Sequence, residues 1–342
     1  MKTLRMLIAS VFSVSAVQAF SSIVYQGEAG PGLGKHIVFL ASDHEYRSEE
    51  TCPALARILA KHLGFTCTVV FGVDKDGFIE AGSSKVSGME ALGKADLFVI
   101  FARFLNLPDD QMAHVVAYLD RGGPVVGLRT SSHAFKIPDG STYAKYDFKS
   151  KTPGYENGFG QQVLGNTWVG HYGTNHQQGT RIQTLADQRG NVILTGVGET
   201  AFCHAGAYVG KPGPDFTVLT TSQPLVSMDP DSAADTTKPP MPSTWTRQYA
   251  AKDGSMHRVF HSTQGASEDI LDENYRRLIL NGILWAASME KEIKPGLDIS
   301  FVGPYQPNTF NFAGHAKQVK PTDLAGWDTP IMPPRPKEAP AK

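Results

Sequence analysis

The run Lys35-His-Ile-Val-Phe-Leu-Ala41 constrains the fold more than any other feature of this sequence. It is apolar and β-branched throughout, then stops abruptly at Ser42-Asp43-His44-Glu45-Tyr46-Arg47. A strand without polar alternation must be covered on both faces, which is the condition of a parallel strand inside a sheet. After it, Ser48 is placed to cap a helix whose apolar residues Leu55, Ile58, Leu59 and Leu63 fall on one face and which ends at Gly64. The pattern then repeats. Phe65 to Phe71 reads as a strand, Met89 to Lys94 as a short helix, and Asp96 to Phe101 as a strand. Pro108 to Arg121 reads as a helix running into Gly122-Gly123, and Pro124 to Leu128 as a fourth strand. Strands alternating with crossover helices predict an α/β fold: an open parallel sheet with helices on both faces.

The rest of the chain is less periodic. Residues 131–179 are rich in Gly, Tyr, Asn, Gln and His, and read as a long ordered insertion above the sheet. Further strands are expected at Thr180 to Leu185, Val192 to Leu194, Thr217 to Thr220 and His257 to His261, and a helix over Glu268 to Met289. The proline-rich stretch 229–243 reads as a mobile surface loop, and the segment from Lys291 as an extended tail lying on the domain.

The N-terminus carries Lys2 and Arg5, then an apolar stretch from Met6 to Val17, then Val17-Gln18-Ala19. That is the three-part pattern of a secretory signal, expected to be cut after Ala19 and to send the chain to the periplasm or outside the cell. The apolar stretch is well short of the roughly 20 residues of a membrane span, and no later segment reaches that length. The expected organisation is therefore a signal peptide at 1–19, an extension at 20–34, one α/β domain at 35–290 and a tail at 291–342. Three cysteines, Cys52, Cys67 and Cys203, do not make a disulfide framework. With Cys52 at the top of the first helix and Cys67 at the bottom of the second strand, about eleven helical residues, roughly 16 Å of rise, separate them, too far to bridge.

Composition decides which partners are excluded. With 342 residues, 32 Lys and Arg against 33 Asp and Glu, and a formal charge of −1, the chain has no basic tract for nucleic acid. No glycine-rich phosphate loop follows any predicted strand, which excludes the usual nucleotide cofactors.

In an open α/β sheet, ligands bind beyond the carboxyl ends of the strands, where strand order reverses. Three segments fall there: Ser42 to Arg47, Ala102-Arg103-Phe104, and Arg129-Thr130-Ser131-Ser132-His133. Together they offer carboxylates, imidazoles and guanidiniums where a plain connection needs none. His44, Glu45 and His133 are the candidates for proton transfer, or for ligating a divalent metal such as Zn. Asp43 joins them, although three adjacent residues cannot all face one ion. Capping of the following helix is the structural alternative for His44 and Glu45. Arg47, Arg103 and Arg129 have the forked donors that hold an anionic or carbonyl group, or else pair with Asp43 and Glu45. A second cluster, Trp168 to Gly179, supplies Trp168, His171, Tyr172 and His176, suited to stacking on and hydrogen-bonding a hydroxyl-rich ligand. His204 and His261 end later segments and can complete the site. The turn Val126 to Ser131 lacks the Cys of a nucleophile elbow, and covalent catalysis by Thr130 or Ser131 would need His133 as its base.

The strand 35–41 with its Asp-His-Glu loop, the strand Ala95 to Phe101, the helix Asp109 to Arg121 running into Gly122 to Leu128, and the segment His261 to Glu268 before a helix ending Ile283-Leu-Trp285-Ala resemble the trehalose-utilisation (ThuA-like) family of the class I glutamine amidotransferase-like superfamily. The resemblance covers roughly residues 35–289. It implies a flavodoxin-like sheet, a role in carbohydrate metabolism on a sugar or modified glycoside, and loss of the glutaminase nucleophile. The expected function is thus that of an exported carbohydrate-active protein, a lyase, isomerase or hydrolase, with a non-catalytic sugar-binding protein as the alternative. A small sugar is the expected ligand, and a homo-oligomer is open.

Overall fold

The computed structural model describes residues 21–332, so the signal-peptide expectation at 1–19 and the last ten residues lie outside the described part. Ten strands form one sheet among the described residues, in the order β1-β3-β2-β4-β5-β10-β9-β8-β6-β7. Five of them are parallel: β2 (His36–Ser42), β3 (Thr66–Phe71), β4 (Leu97–Ala102), β5 (Val125–Leu128) and β10 (Met256–Ser262). Every residue of β4 is buried, as its unbroken Leu-Phe-Val-Ile-Phe-Ala run requires. The chain runs from β2 outward to β3, then returns past β2 to β4, so strand order reverses between β2 and β4.

Helices cover both faces. On one, α1 (Ser48–Leu63) and α3 (Glu273–Ala286) bury Leu55, Ile58, Leu59, Leu278 and Ile283. On the other, α2 (Asp109–Asp120) packs Met112 and Val115 against Phe98 and Ile100. Gly64 ends α1 with a left-handed φ of 83°, its N–H bonded to the Ala60 carbonyl. Cys52, Cys67 and Cys203 are free and buried.

The sheet is mixed, not purely parallel. β1 (Ser22–Gln26) pairs antiparallel with β3, and β9 (Met241–Ala250), β8 (Thr217–Pro224), β6 (Thr180–Thr184) and β7 (Thr200–Cys203) extend the other edge as an antiparallel set. The stretch 229–243, expected as a loop, ends in the start of β9. Its Pro242 pairs only on the β8 side, and the ladder with β10 begins at Thr244, so the proline meets no donor demand from β10. Val192–Leu194 is a 3-10 turn instead of a strand, set by Asn191, whose side chain accepts the Ile193 N–H. The helix expected over 268–289 is broken at Asp272. That side chain accepts the Tyr275 N–H and starts α3 afresh after a 3-10 turn at Asp269–Leu271.

The tail from Lys291 lies on the domain along α1. Arg57, fully buried in α1, donates to the carbonyls of Val302, Leu324 and Thr329, and Phe310, Leu324 and Ile331 enter the core. Glu50 accepts the Asn308 N–H at 2.8 Å and its Nδ2 at 2.9 Å. Burial first, and then the neighbouring Glu49, push the Glu50 carboxyl up to about 8, against the opposing pull of the Asn308 bonds and Arg47. A carboxyl raised in the fold contributes stability below its unfolded pKa and loses it as pH rises through the folded one. Glu50→Gln is therefore expected to gain about 3 kcal/mol relative to the native chain on going from pH 5 to pH 9, measured by urea melts. An equal difference at both pH values would contradict this account of the latch.

Candidate functional site

Three loops rise from the carboxyl ends of β2, β4 and β5, and each contains a non-glycine residue in the left-handed region: Arg47 (φ 63°), Phe104 (φ 54°) and Arg129 (φ 46°). Such residues cost on the order of 1–3 kcal/mol each and persist only where their surroundings hold them. The surroundings here are specific. Asp43, fully buried, accepts the N–H groups of Glu45 (2.7 Å) and Tyr46, and the Thr130 hydroxyl at 2.8 Å. One carboxylate thus folds the β2 loop on itself and ties it to the β5 loop. Ser48 does not cap α1; Arg47 occupies the cap position, and the Ser48 hydroxyl accepts the Asp43 N–H. Phe104 N–H donates to the His133 carbonyl at 3.0 Å, which joins the β4 and β5 loops.

His133 sits at the centre of the rim, 1% exposed. Its ring is walled by Phe104 (5.0 Å between centroids), Trp168 (5.4 Å), Tyr208 (6.1 Å) and Phe148 (6.5 Å). Burial, and then the positive Arg103 and Arg129 with His171 and His44 nearby, push its pKa well below the ordinary imidazole value. Burial thus favours its neutral form. Its Nδ1 lies 3.1 Å from the Ser132 hydroxyl. Burial likewise lowers the pKa of His44, partly countered by Asp43. His171, edge-on to both Trp168 and Tyr208, is pushed down to about 4 by burial of its inner face and by Arg129 and Arg103. Its outer edge is exposed, so solvent screens part of that effect.

Glu45 pairs with Arg103 Nη1 at 2.9 Å and accepts Asn175 Nδ2 at 3.0 Å. The same Asn175 amide donates to the Tyr46 hydroxyl and accepts the Gly206 N–H, so the insertion is pinned to the rim. Arg103 itself lies between the rings of Phe104 and Phe312, each 5.1 Å from its guanidinium carbon. Arg129 is completely buried, sandwiched between Tyr46 (4.1 Å) and Tyr208 (3.8 Å), and its Nη1 donates to the Gly206 and Thr263 carbonyls and the Gln264 amide oxygen.

The structure thus gathers Asp43, His44, Glu45, Arg103, Arg129, Thr130, His133, Trp168 and His171 around one rim. It sets others apart. Arg47 turns toward the tail and donates to the Asn311 carbonyl. The Tyr172 hydroxyl donates to the Pro239 carbonyl and does not join Trp168. His176 stacks on Phe310 at 4.6 Å, His204 lies edge-on to Phe202, and His261 is enclosed beside Trp245. Thr130 and Ser131 are not poised as nucleophiles, because their hydroxyls are committed to Asp43 and to the Ile100 and Leu128 carbonyls. The sequence places Asn175 in the cluster suited to hydrogen-bonding a ligand, but gives no sign of its bonds to Glu45, Tyr46 and Gly206, or of Phe148 and Tyr208 as participants. Phe148 and Tyr208 read as ordinary apolar residues.

Among the described residues no group of three or more His, Cys, Asp or Glu side chains is arranged to hold a metal ion. The carboxylates expected for Zn are already engaged: Asp43 accepts backbone N–H groups, and Glu45 accepts from Arg103 and Asn175. They do not fit a metal in this arrangement.

No family model matches the chain, and no curated protein matches it. Solved structures do. The structure is similar to ThuA-like proteins. The one from Bacteroides uniformis shares 14% identity at a TM-score of 0.47, covering 79% of this chain and 98% of that one. The one from Parabacteroides merdae also shares 14% identity, at a TM-score of 0.45, covering 81% and 96%. The N-terminal domain of mmIFT52 shares 10% identity at a TM-score of 0.40, covering 74% and 98%. No helix among the described residues is long and apolar enough to cross a membrane.

Proposed function

We propose that the protein is an exported ThuA-like protein that acts on a carbohydrate or modified glycoside at this rim, with His133 as the group that moves a proton and without glutaminase activity. The order β3-β2-β4-β5-β10 of the parallel strands supports a flavodoxin-like reading of the sheet, in which a ligand would bind at the reversal point, beside His44 and Arg103. One observation carries the reading. His44 Nδ1, Arg103 Nε, His133 Nε2 and Trp168 Nε1, from four separate segments, are buried polar atoms without protein partners on side chains that neighbour one another. Buried polar groups are rarely left so, and a cluster of them beside aromatic rings suits a ligand offering hydroxyls and an apolar ring face. His133, held neutral, takes a proton from a hydroxyl or an acidic C–H; the Glu45–Arg103 pair and Asn175 fix the position of the ligand oxygens. The three thiols, Cys52, Cys67 and Cys203, are all buried and burial pushes their pKa values well up, which supports the reading without a glutaminase nucleophile.

The test is turnover of a panel of sugars and oxidised glycosides. His133→Ala is expected to lower kcat by roughly a hundredfold or more on the sugar that reacts. Because the His133 pKa is depressed, kcat/KM should stay flat across neutral pH and fall only on the acid side of the ordinary imidazole range. Unchanged turnover in His133→Ala would remove the assignment. The near-complete burial of His133 favours a second reading, a non-catalytic sugar-binding protein, which predicts saturable binding and no product on long incubation.

A further inference from the structure

Beyond the rim, the chain leaving His133 opens a cavity of about 550 Å³ whose lining includes Lys136, Asp139, Asp147, Phe148, Lys149 and Lys151. It adjoins the rim directly. Leu105 and Phe135 form a parallel bridge past the ends of β4 and β5, the Lys136 N–H donates to the Leu105 carbonyl, and the Phe148 N–H donates to the Phe135 carbonyl. Phe148 is the shared wall, in contact with Phe104 and His133 on one side and lining the cavity on the other. Two residues, Ala134 and Phe135, lie between His133 and Lys136, a span of at most about 11 Å.

The charge in this cavity is not balanced by ion pairs. None of the ammonium groups of Lys136, Lys149 and Lys151 lies within 4.0 Å of a described carboxylate, and Lys149 instead faces the Phe148 ring at 5.3 Å. Asp147 faces inward for a structural purpose: its two oxygens accept the N–H groups of Ile137 and Lys149, both at 2.8 Å, and so shape the cavity wall. With Asp139 and Asp147 in the same lining, three exposed ammonium groups against two carboxylates leave an excess of one positive charge, and such flexible cations attract an oxyanion without dictating its geometry.

We infer that this cavity is a subsite for an anionic unit of the saccharide, a uronate or a sulfate ester, whose neighbouring unit occupies the rim. The inference rests on the carbohydrate reading of the rim, and it narrows the ligand to an acidic oligosaccharide.

Calorimetric binding of trigalacturonate, its full methyl ester and a sulfated galactose trimer tests it. At low ionic strength at least one anionic trimer is expected to bind roughly tenfold more tightly than the ester, an advantage that shrinks with added salt. Which of the two is preferred identifies the oxyanion. In a Lys136→Gln/Lys149→Gln/Lys151→Gln variant, all surface positions, the advantage should vanish while the ester binds as before. Equal binding of the acidic and esterified trimers, a preference that survives the triple substitution, or no binding of any trimer overturns the subsite. Trp168→Ala reads the rim separately. If it leaves the ester's affinity unchanged, the carbohydrate reading of the rim fails, whatever the lysines do.

Discussion

Replacing Arg129 with Leu should lower the unfolding free energy by about 3–5 kcal/mol, the range for breaking a buried polar network. The guanidinium is part of a continuous stack, His176 on Phe310, Phe310 on Tyr46, Tyr46 on Arg129 and Arg129 on Tyr208. It also donates to two backbone carbonyls and to Gln264, which Leu would leave buried without a donor. The tail, the β2 loop and the insertion all meet at this side chain. Urea melts should therefore show loss of stability together with protease sensitivity in the tail around Phe310. Arg129→Lys keeps the charge but lacks the planar group that fits between two rings, and should recover less than half of the loss. A change under about 1 kcal/mol in Arg129→Leu would show the stack to be incidental.

The second large effect is acid sensitivity from His261. Its imidazole is fully enclosed on β10, and burial, outweighing the backbone contact at Gly127, pushes its pKa down to about 3. The fold therefore favours the neutral ring, while the unfolded chain takes up a proton near the ordinary value. Stability from this difference is complete above about pH 6.5 and is lost as pH falls toward 3, to a total of about 4–5 kcal/mol. His261→Leu, close in volume, should be little changed at pH 7.5 and should lose markedly less stability than the native chain between pH 6.5 and pH 4. Parallel stability curves for the two proteins over that range would contradict this. His133 adds to the same acid loss in direction, since it too is held below its ordinary pKa.

How much of this was legible in the sequence follows from what each segment had to satisfy. The strands β2, β4 and β5 are buried on both faces, so their residues have no freedom to be polar, and their ends are marked where that demand stops. That same mark placed His44, Arg103 and His133 on one rim. The antiparallel half was less legible. β9 opens in a proline-rich stretch, β7 is four residues long, and neither carries a pattern that distinguishes it from a loop. Side-chain direction was the other limit. His261 ends an apolar strand, and whether it faces a cleft or a core depends on which neighbour lies over it; Trp245, distant in sequence, decides that. Arg47 stands only two residues from Glu45, yet its left-handed backbone turns it to the tail. Asn175 became part of the rim through two loops that no local pattern joins.

The pairing of β5 with β10 sets Val125 beside Val259 and Leu128 beside Ser262. Roughly 130 residues must therefore leave the ribosome after β5 before its second neighbour exists, about ten seconds at common elongation rates. Until then β5, buried along its whole length in the finished sheet, has no partner on that side. An apolar strand edge left open for that long is a template for pairing with other chains, so the late arrival of β10 sets how long the growing chain is exposed to aggregation.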